Sequence, residues 1–157
     1  SPLSSAMSLP TPPPPQQLPI EAQWCLQPNN GPCIDLEVAR TPQQQSWGLM
    51  GRPPLAPLRG MWFPYDQPQV LKFWMHRTPA PLDMLFIRDR RGIAIEAGAT
   101  PCPRLPCRSY GPDEPADGVV ELAAGEAARL GIRPGSAALI RAFKPLPAAR
   151  PATPTPD

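Results

Sequence analysis

The sequence predicts a mainly β domain, a small jelly-roll-like β-sandwich or barrel of about eight short strands with two short helices. Three observations lead there. Apolar and polar residues alternate over short runs, as they do along half-buried strands. Turn signals built from Gly, Pro, Asn and Asp recur roughly every ten residues. The two helical stretches are too short to serve as the crossovers of a βαβ fold.

The elements follow in order. Ile20 to Leu26 alternates as a strand, and Asn30-Gly31 turns it into Cys33 to Ala39, where Ile34, Leu36 and Val38 share one face. Cys25 and Cys33 then sit on the two arms of a hairpin. Thr41-Pro42-Gln43-Gln44 reads as a helix start, with Thr41 as cap, Pro42 in the first helical position and Gln44 completing a capping box. Gly48 and Pro53-Pro54 end that helix. Met61 to Phe63 is a brief strand before Pro64. Leu71 to Met75 puts Leu71, Phe73 and Met75 on a core face and Lys72, Trp74 and His76 on the other. Thr78-Pro79-Ala80-Pro81 bridges to Asp83–Arg88, a strand apolar on both faces, and Asp89 to Gly92 turns into Ile93 to Ala97. Ala99 to Asp117 is a long loop with two cysteines. Gly118 to Leu122 is a strand, Gly125 to Leu130 a short helix stopped by Gly131, and Ala138 to Phe143 the last strand.

Composition divides the chain into three parts. The 28 prolines far exceed the usual share of about 5% and crowd the ends. Residues 1–19 and 145–157 read as extended, disordered Pro-rich linkers around a single domain at 20–144, because neither end buries enough apolar surface to offset its ordering entropy. The net charge is only +2 and the basic residues are scattered, so nucleic acid is not an expected partner. No apolar run reaches the roughly 18–20 residues that span a bilayer. A Pro/Ser-rich spacer ahead of a small domain, and a start at Ser1 without an initiator Met, fit a secreted, periplasmic or membrane-tethered protein whose signal peptide or anchor has been removed.

Chemistry-bearing patterns are sparse. No phosphate-cradling Gly-rich loop and no Gly-x-Ser-x-Gly elbow is present, so no cofactor is expected and no residue is assigned as catalytic. The cysteines fall as Cys25-x7-Cys33 and Cys102-x4-Cys107, and the first spacing is too wide for a zinc arm. Disulfides fit an exported chain better, Cys102–Cys107 pinning the long loop and Cys25–Cys33 stapling the hairpin; free thiols are the alternative in a reducing compartment. A metal held by His76, Asp83 and Glu96 has little support, with one imidazole and two scattered acids. The indole of Trp74, beside Lys72, His76, Arg77 and Thr78, has the makings of a site for a small polar or anionic ligand. Packing of Trp74 under the short helix or the proline loop is the stronger expectation. Asp83 is expected to bond backbone or an arginine rather than to catalyse.

Several motifs occur together and in order: Val38-Ala39-Arg40-Thr41-Pro42 with Gly48-Leu49-Met50-x-Arg52; Gly60-Met61-x-Phe63; Phe73-Trp74-Met75-x-x-Thr78 with Pro81-Leu82-Asp83-x-x-Phe86; Pro101-Cys102 with Pro106-Cys107-x-x-Tyr110-Gly111; Glu121-Leu122-x-x-Gly125; and Gly131-x-x-x-Gly135. With these the chain resembles the prokaryotic domain-of-unknown-function 192 family over about Ile34 to Ile140, and looks like its cyanobacterial branch. The resemblance implies a compact β domain related to jelly-roll sandwiches, often preceded by a signal peptide or anchor, with no established activity. Two positions depart from the pattern: His76-Arg77 replaces the usual Lys-Asn, and Gly51 replaces a bulky residue. The sequence thus points to a non-enzymatic extracytoplasmic binding or accessory module. Its candidate binding residues are Arg40, Arg52, Trp74, Thr78, Asp83 and Tyr110, and its occupant a small ligand or a protein. The alternative is an enzyme using His76, Asp83 and the Cys102–Tyr110 loop.

Overall fold

The computed structural model describes residues 14–26 and 30–146. Most of both expected linkers, 1–13 and 147–157, and residues 27–29 of the first turn lie outside the described residues. Residues 14–19 lie along the domain: the Gln16 side-chain amide donates to the carbonyls of Gln44 and Gly48, each at 2.9 Å, and the Leu18 N–H donates to Glu37 Oε1.

Strands β1 (Ile20–Cys25) and β2 (Cys33–Val38) form the expected antiparallel hairpin. Cys25 stands opposite Cys33 and the two are joined as a disulfide. Helix α1 (Pro42–Trp47) starts as anticipated. Gln44 N–H donates to Thr41 Oγ1, and Gln44 Oε1 accepts from the N–H groups of Thr41 and Arg40, so the Thr41 and Gln44 donors are met from within the box. Then come β3 (Arg59–Val70), β4 (Phe73–Trp74), β5 (Leu82–Arg88), β6 (Arg91–Ala99), β7 (Ser109–Tyr110), β8 (Pro115–Ala123), α2 (Glu126–Arg129) and β9 (Ile140–Ala142).

The mainly β expectation holds. Seven strands make a mixed sheet in the order β6-β5-β8-β3-β2-β1-β9, with β2 and β3 parallel and the other neighbours antiparallel; the sheet is not closed into a barrel. Strands β4 and β7 pair separately. The open edges come close where Gly92 N–H donates to Ser136 O and Ala138 N–H to Arg90 O, without forming a continuous ladder.

Three expectations about elements need correction. Strand β3 does not stop at Pro64. Its ladder with β8 breaks there and resumes at Gln69 opposite Ala116, so Pro64 and Pro68 border or occupy the break, where fewer ladder donors are needed. The Leu71–Met75 strand shrinks to Phe73–Trp74, because its neighbour β7 offers only Tyr110 and Ser109. The long loop keeps its covalent pin, Cys102–Cys107, but yields β7 and the start of β8 to the ladders.

Period-two alternation sends each central strand to two apolar layers. Met84 and Phe86 of β5, Met61 and Phe63 of β3 and Val119 of β8 join one cluster; Leu85, Ile87, Val120 and Leu122 join another with Ile34, Leu36 and Trp24. Gly60 lies where a Cβ would stand 2.7 Å from a Leu122 methyl and 2.9 Å from the Glu121 carbonyl, so the β3–β8 approach has no room for a side chain.

Asp83, 1% exposed, ties strand β6 to the start of helix α2. Its Oδ1 accepts from Gly98 N–H on β6 at 2.9 Å, and its Oδ2 accepts from Gly125 and Ala127 at 3.0 Å each, at the entrance to α2. Asp83→Ala orphans three backbone donors. The expected loss is about 2–4 kcal/mol in urea unfolding at neutral pH; a loss below about 1 kcal/mol contradicts this role.

Candidate functional site

On β8, Val119 and Glu121 point to the same layer while Val120 and Leu122 point to the other. Glu121 therefore enters an apolar layer, flanked in the ladders by Met61 of β3 and Met84 of β5. It is 4% exposed, and burial pushes its carboxyl up to about 8, with no hydrogen bond or cation among the described residues to bring it back. Nearby, burial first and the Glu121 charge second push the Tyr65 phenol up to about 12.

Glu121 lines a cavity of about 350 Å³. Helix α1 and the following turn, including Trp47, Gly48 and Met50, supply one side. Strand β3 supplies Phe63 and Tyr65, and the segment from Lys72 to Thr78 supplies Phe73, Trp74 and the threonine. The cover is held by specific bonds. Gln45 donates its side-chain amide to the carbonyls of Ala39 and Pro64, at 3.1 and 2.9 Å, which fastens α1 over the break in β3. Gly51 N–H donates to Arg77 O at 2.8 Å, which joins the post-helix turn to the third side. Phe63 and Phe73 meet edge to face with centroids 5.0 Å apart.

The expected site residues divide into two groups. Trp74 and Thr78 line the cavity together with Lys72. Trp74 is not packed away as expected: it is 46% exposed and leans on the His76 ring at 5.0 Å. Lys72 Nζ donates to Gly111 O at 2.6 Å and to Asp113 at 3.0 Å. The other four do not line the cavity. Arg40 pairs with Glu21 and donates to the Lys144 and Pro145 carbonyls. Arg52 pairs with Glu37 at 2.6 Å. Asp83 serves the backbone, and Tyr110 lies under the Arg108 guanidinium with its hydroxyl near the Thr100 N–H.

Of the groups of the enzymatic alternative, Asp83 and the two loop cysteines are occupied, and His76 lies against Trp74. Both Asp83 oxygens hold backbone donors, and Cys102 and Cys107 are bonded to each other, so neither is a thiolate. Among the described residues no three His, Cys, Asp or Glu side chains are grouped as metal ligands.

Arg77 accounts for one departure from the family pattern. Its φ of +58° is left-handed, a conformation that Asn adopts at lower cost than most side chains. The usual Asn at this position thus has a backbone reason and needs no ligand role.

Sequence reasoning missed Glu121, Tyr65 and the α1 side of the cavity. For Glu121 a signal was present: a single carboxylate in a strand whose neighbours are apolar on both faces. Tyr65 gave none, since it follows Pro64 where the strand was expected to end.

The geometry defines a class: a small mixed-sheet β domain that holds a ligand-sized, aromatic-lined cavity with a buried acid in its wall. The chain belongs to the domain-of-unknown-function 192 (DUF192) family, described as an uncharacterised ACR, which it matches over residues 25–140. It is similar to a protein of unknown function from Novosphingobium aromaticivorans DSM 12444, at 32% identity and a TM-score of 0.66, covering 81% of this chain and 91% of that one. It is also similar to a protein from Sinorhizobium meliloti 1021 described as a candidate transcription regulator, at 32% identity and a TM-score of 0.65, covering 78% and 92%. No curated protein matches the chain significantly.

Burial of Glu121 gives stability a defined pH dependence. Between about 4.5 and about 8 the folded protein keeps a proton that the unfolded chain has released, so stability falls as pH rises through that window. Glu121→Gln removes the fall. The variant is expected to exceed the parent by about 2–5 kcal/mol at pH 8 and to match it more closely near pH 5, as read from urea midpoints. Parallel pH profiles for the two proteins rule this out.

Proposed function

We propose that this domain is a non-enzymatic binding module working outside the cytoplasm, with the cavity between α1, β3, β8 and the 72–78 segment as its site for a small molecule. The observation that carries this reading is Glu121, a buried acid without a partner among the described residues that opens onto an aromatic-lined space of about 350 Å³. Trp74 and Thr78 are its contact residues, while Arg40, Arg52, Asp83 and Tyr110 are engaged with partners elsewhere in the domain. A concave wall containing acid, hydroxyl and indole groups suits a small ligand better than a flat protein surface. The Glu121 carboxyl narrows the expected small polar or anionic ligand to one that donates hydrogen bonds or carries positive charge.

Two disulfides support the extracytoplasmic placement, and no helix among the described residues is long and apolar enough to cross a membrane. The apolar clusters on both sheet faces support kinship with jelly-roll sandwiches. The description of the Sinorhizobium protein is not extended to this chain, whose basic residues are scattered.

NMR with small amines, alcohols, amides and carboxylates tests the site. The four indole N–H signals separate the outcomes, since Trp47 and Trp74 line the cavity while Trp24 and Trp62 belong to the other layer. Expected are shifts at Trp47, Trp74 and the amides of Gly48 to Met50. Shifts confined to Trp24 and Trp62, or none with any compound, contradict the proposal.

A further inference from the structure

Building on that reading of the cavity, we infer that its occupant is a compact organic ammonium ion. Its charged head is held by Glu121 and its apolar part by the surrounding rings. Trp47, Phe63, Tyr65, Phe73 and Trp74 all present surface to the same space as the acid. Rings attract cations through their electron-rich faces, most strongly where water is excluded, and a carboxylate supplies the complementary charge and hydrogen-bond acceptors.

The charges around Glu121 agree with this assignment. Its ladder neighbours Met61 and Met84 are uncharged. Helix α1 and the turn through Met50 contribute no charged side chain to the lining. Tyr65 on β3 stays neutral to about 12. Lys72 is the cation of the lining, and its ammonium is engaged with the Gly111 carbonyl and Asp113. An anion meets only the neutral form of Glu121 and an ammonium at Lys72 that is already engaged, and a neutral ligand leaves the cation-attracting ring set unused.

Binding is therefore linked to proton release. At pH 7 the empty site holds a proton on Glu121, since burial pushes the group up to about 8, and an ammonium ion displaces it. Affinity rises roughly tenfold per pH unit below about 8 and levels off above.

Isothermal titration calorimetry of the full chain, from pH 6 to 9 in buffers of different ionisation heat, tests the inference. Butylammonium chloride is the probe, with butanamide and butyrate as controls. Expected are butylammonium binding with nearly one proton released at pH 7, a steep gain in affinity up to about pH 8, and little or no control binding. Glu121→Gln, close in shape to the protonated acid, is expected to stay folded and to lose at least about tenfold in affinity together with the pH dependence. Trp74→Ala at the half-exposed rim weakens binding without altering proton release. The inference is overturned if butylammonium fails to bind, binds with no pH dependence, or binds Glu121→Gln equally well. It is also overturned if butanamide binds better and weakens above pH 8. NMR shifts at Trp47 and Trp74 alongside such a result leave the cavity as a binding site and remove only the cation.

Discussion

Strand β8 is buried on both faces, and the rest of the structure answers to that constraint. It lies between β5 and β3 near the middle of a seven-stranded sheet, and its alternate residues feed two apolar layers. Any residue on it must be apolar, satisfied by partners or useful. Val119, Val120 and Leu122 are the first kind; Glu121 is neither of the first two. A carboxyl displaced from its usual range to about 8 represents roughly 5 kcal/mol of unfavourable burial at high pH, against the ~5–15 kcal/mol that holds a typical domain folded. A cost of that size in an open cavity, with the rest of the layer well packed, is the physical argument for function.

The cavity exists because the second layer is assembled from small pieces. One side of the sheet is covered by a helix of six residues, a two-residue strand and irregular chain. Such pieces make few mutual backbone bonds, so side chains fix them: Gln45 to the Ala39 and Pro64 carbonyls, Gln16 to the end of α1, and Lys72 to the loop before β8. Asp83 does the same work on the opposite layer, holding β6 and α2 together. The Cys102–Cys107 bond closes the proline-rich loop that adjoins His76.

Local rules made much of this legible in the sequence. The Thr41 capping box, the first hairpin and its cysteine pair, the β5–β6 hairpin and the alternation of Leu71, Phe73 and Met75 all depend on neighbouring residues, and all appear in the structure. Long-range pairing was less accessible. The continuation of β3 past Pro64 depends on β8, some fifty residues away, and the shortness of β4 depends on how little β7 offers. At the site, Trp74 and Thr78 were visible as a polar and aromatic face. Arg40, Arg52, Asp83 and Tyr110 also stood out, yet the structure gives each of them local partners away from the cavity. Glu121 was visible as a motif residue but not as a site, because its meaning depends on β8 being covered from both sides. A sheet with one solvated face would have exposed it.

The most direct test of the account is the titration of the Glu121 carboxyl itself, followed by carbon-13 NMR in the intact domain with and without butylammonium. The account predicts a midpoint near 8 in the free protein, which falls markedly when the amine is present. A midpoint in the ordinary carboxylate range that does not respond to the amine contradicts it.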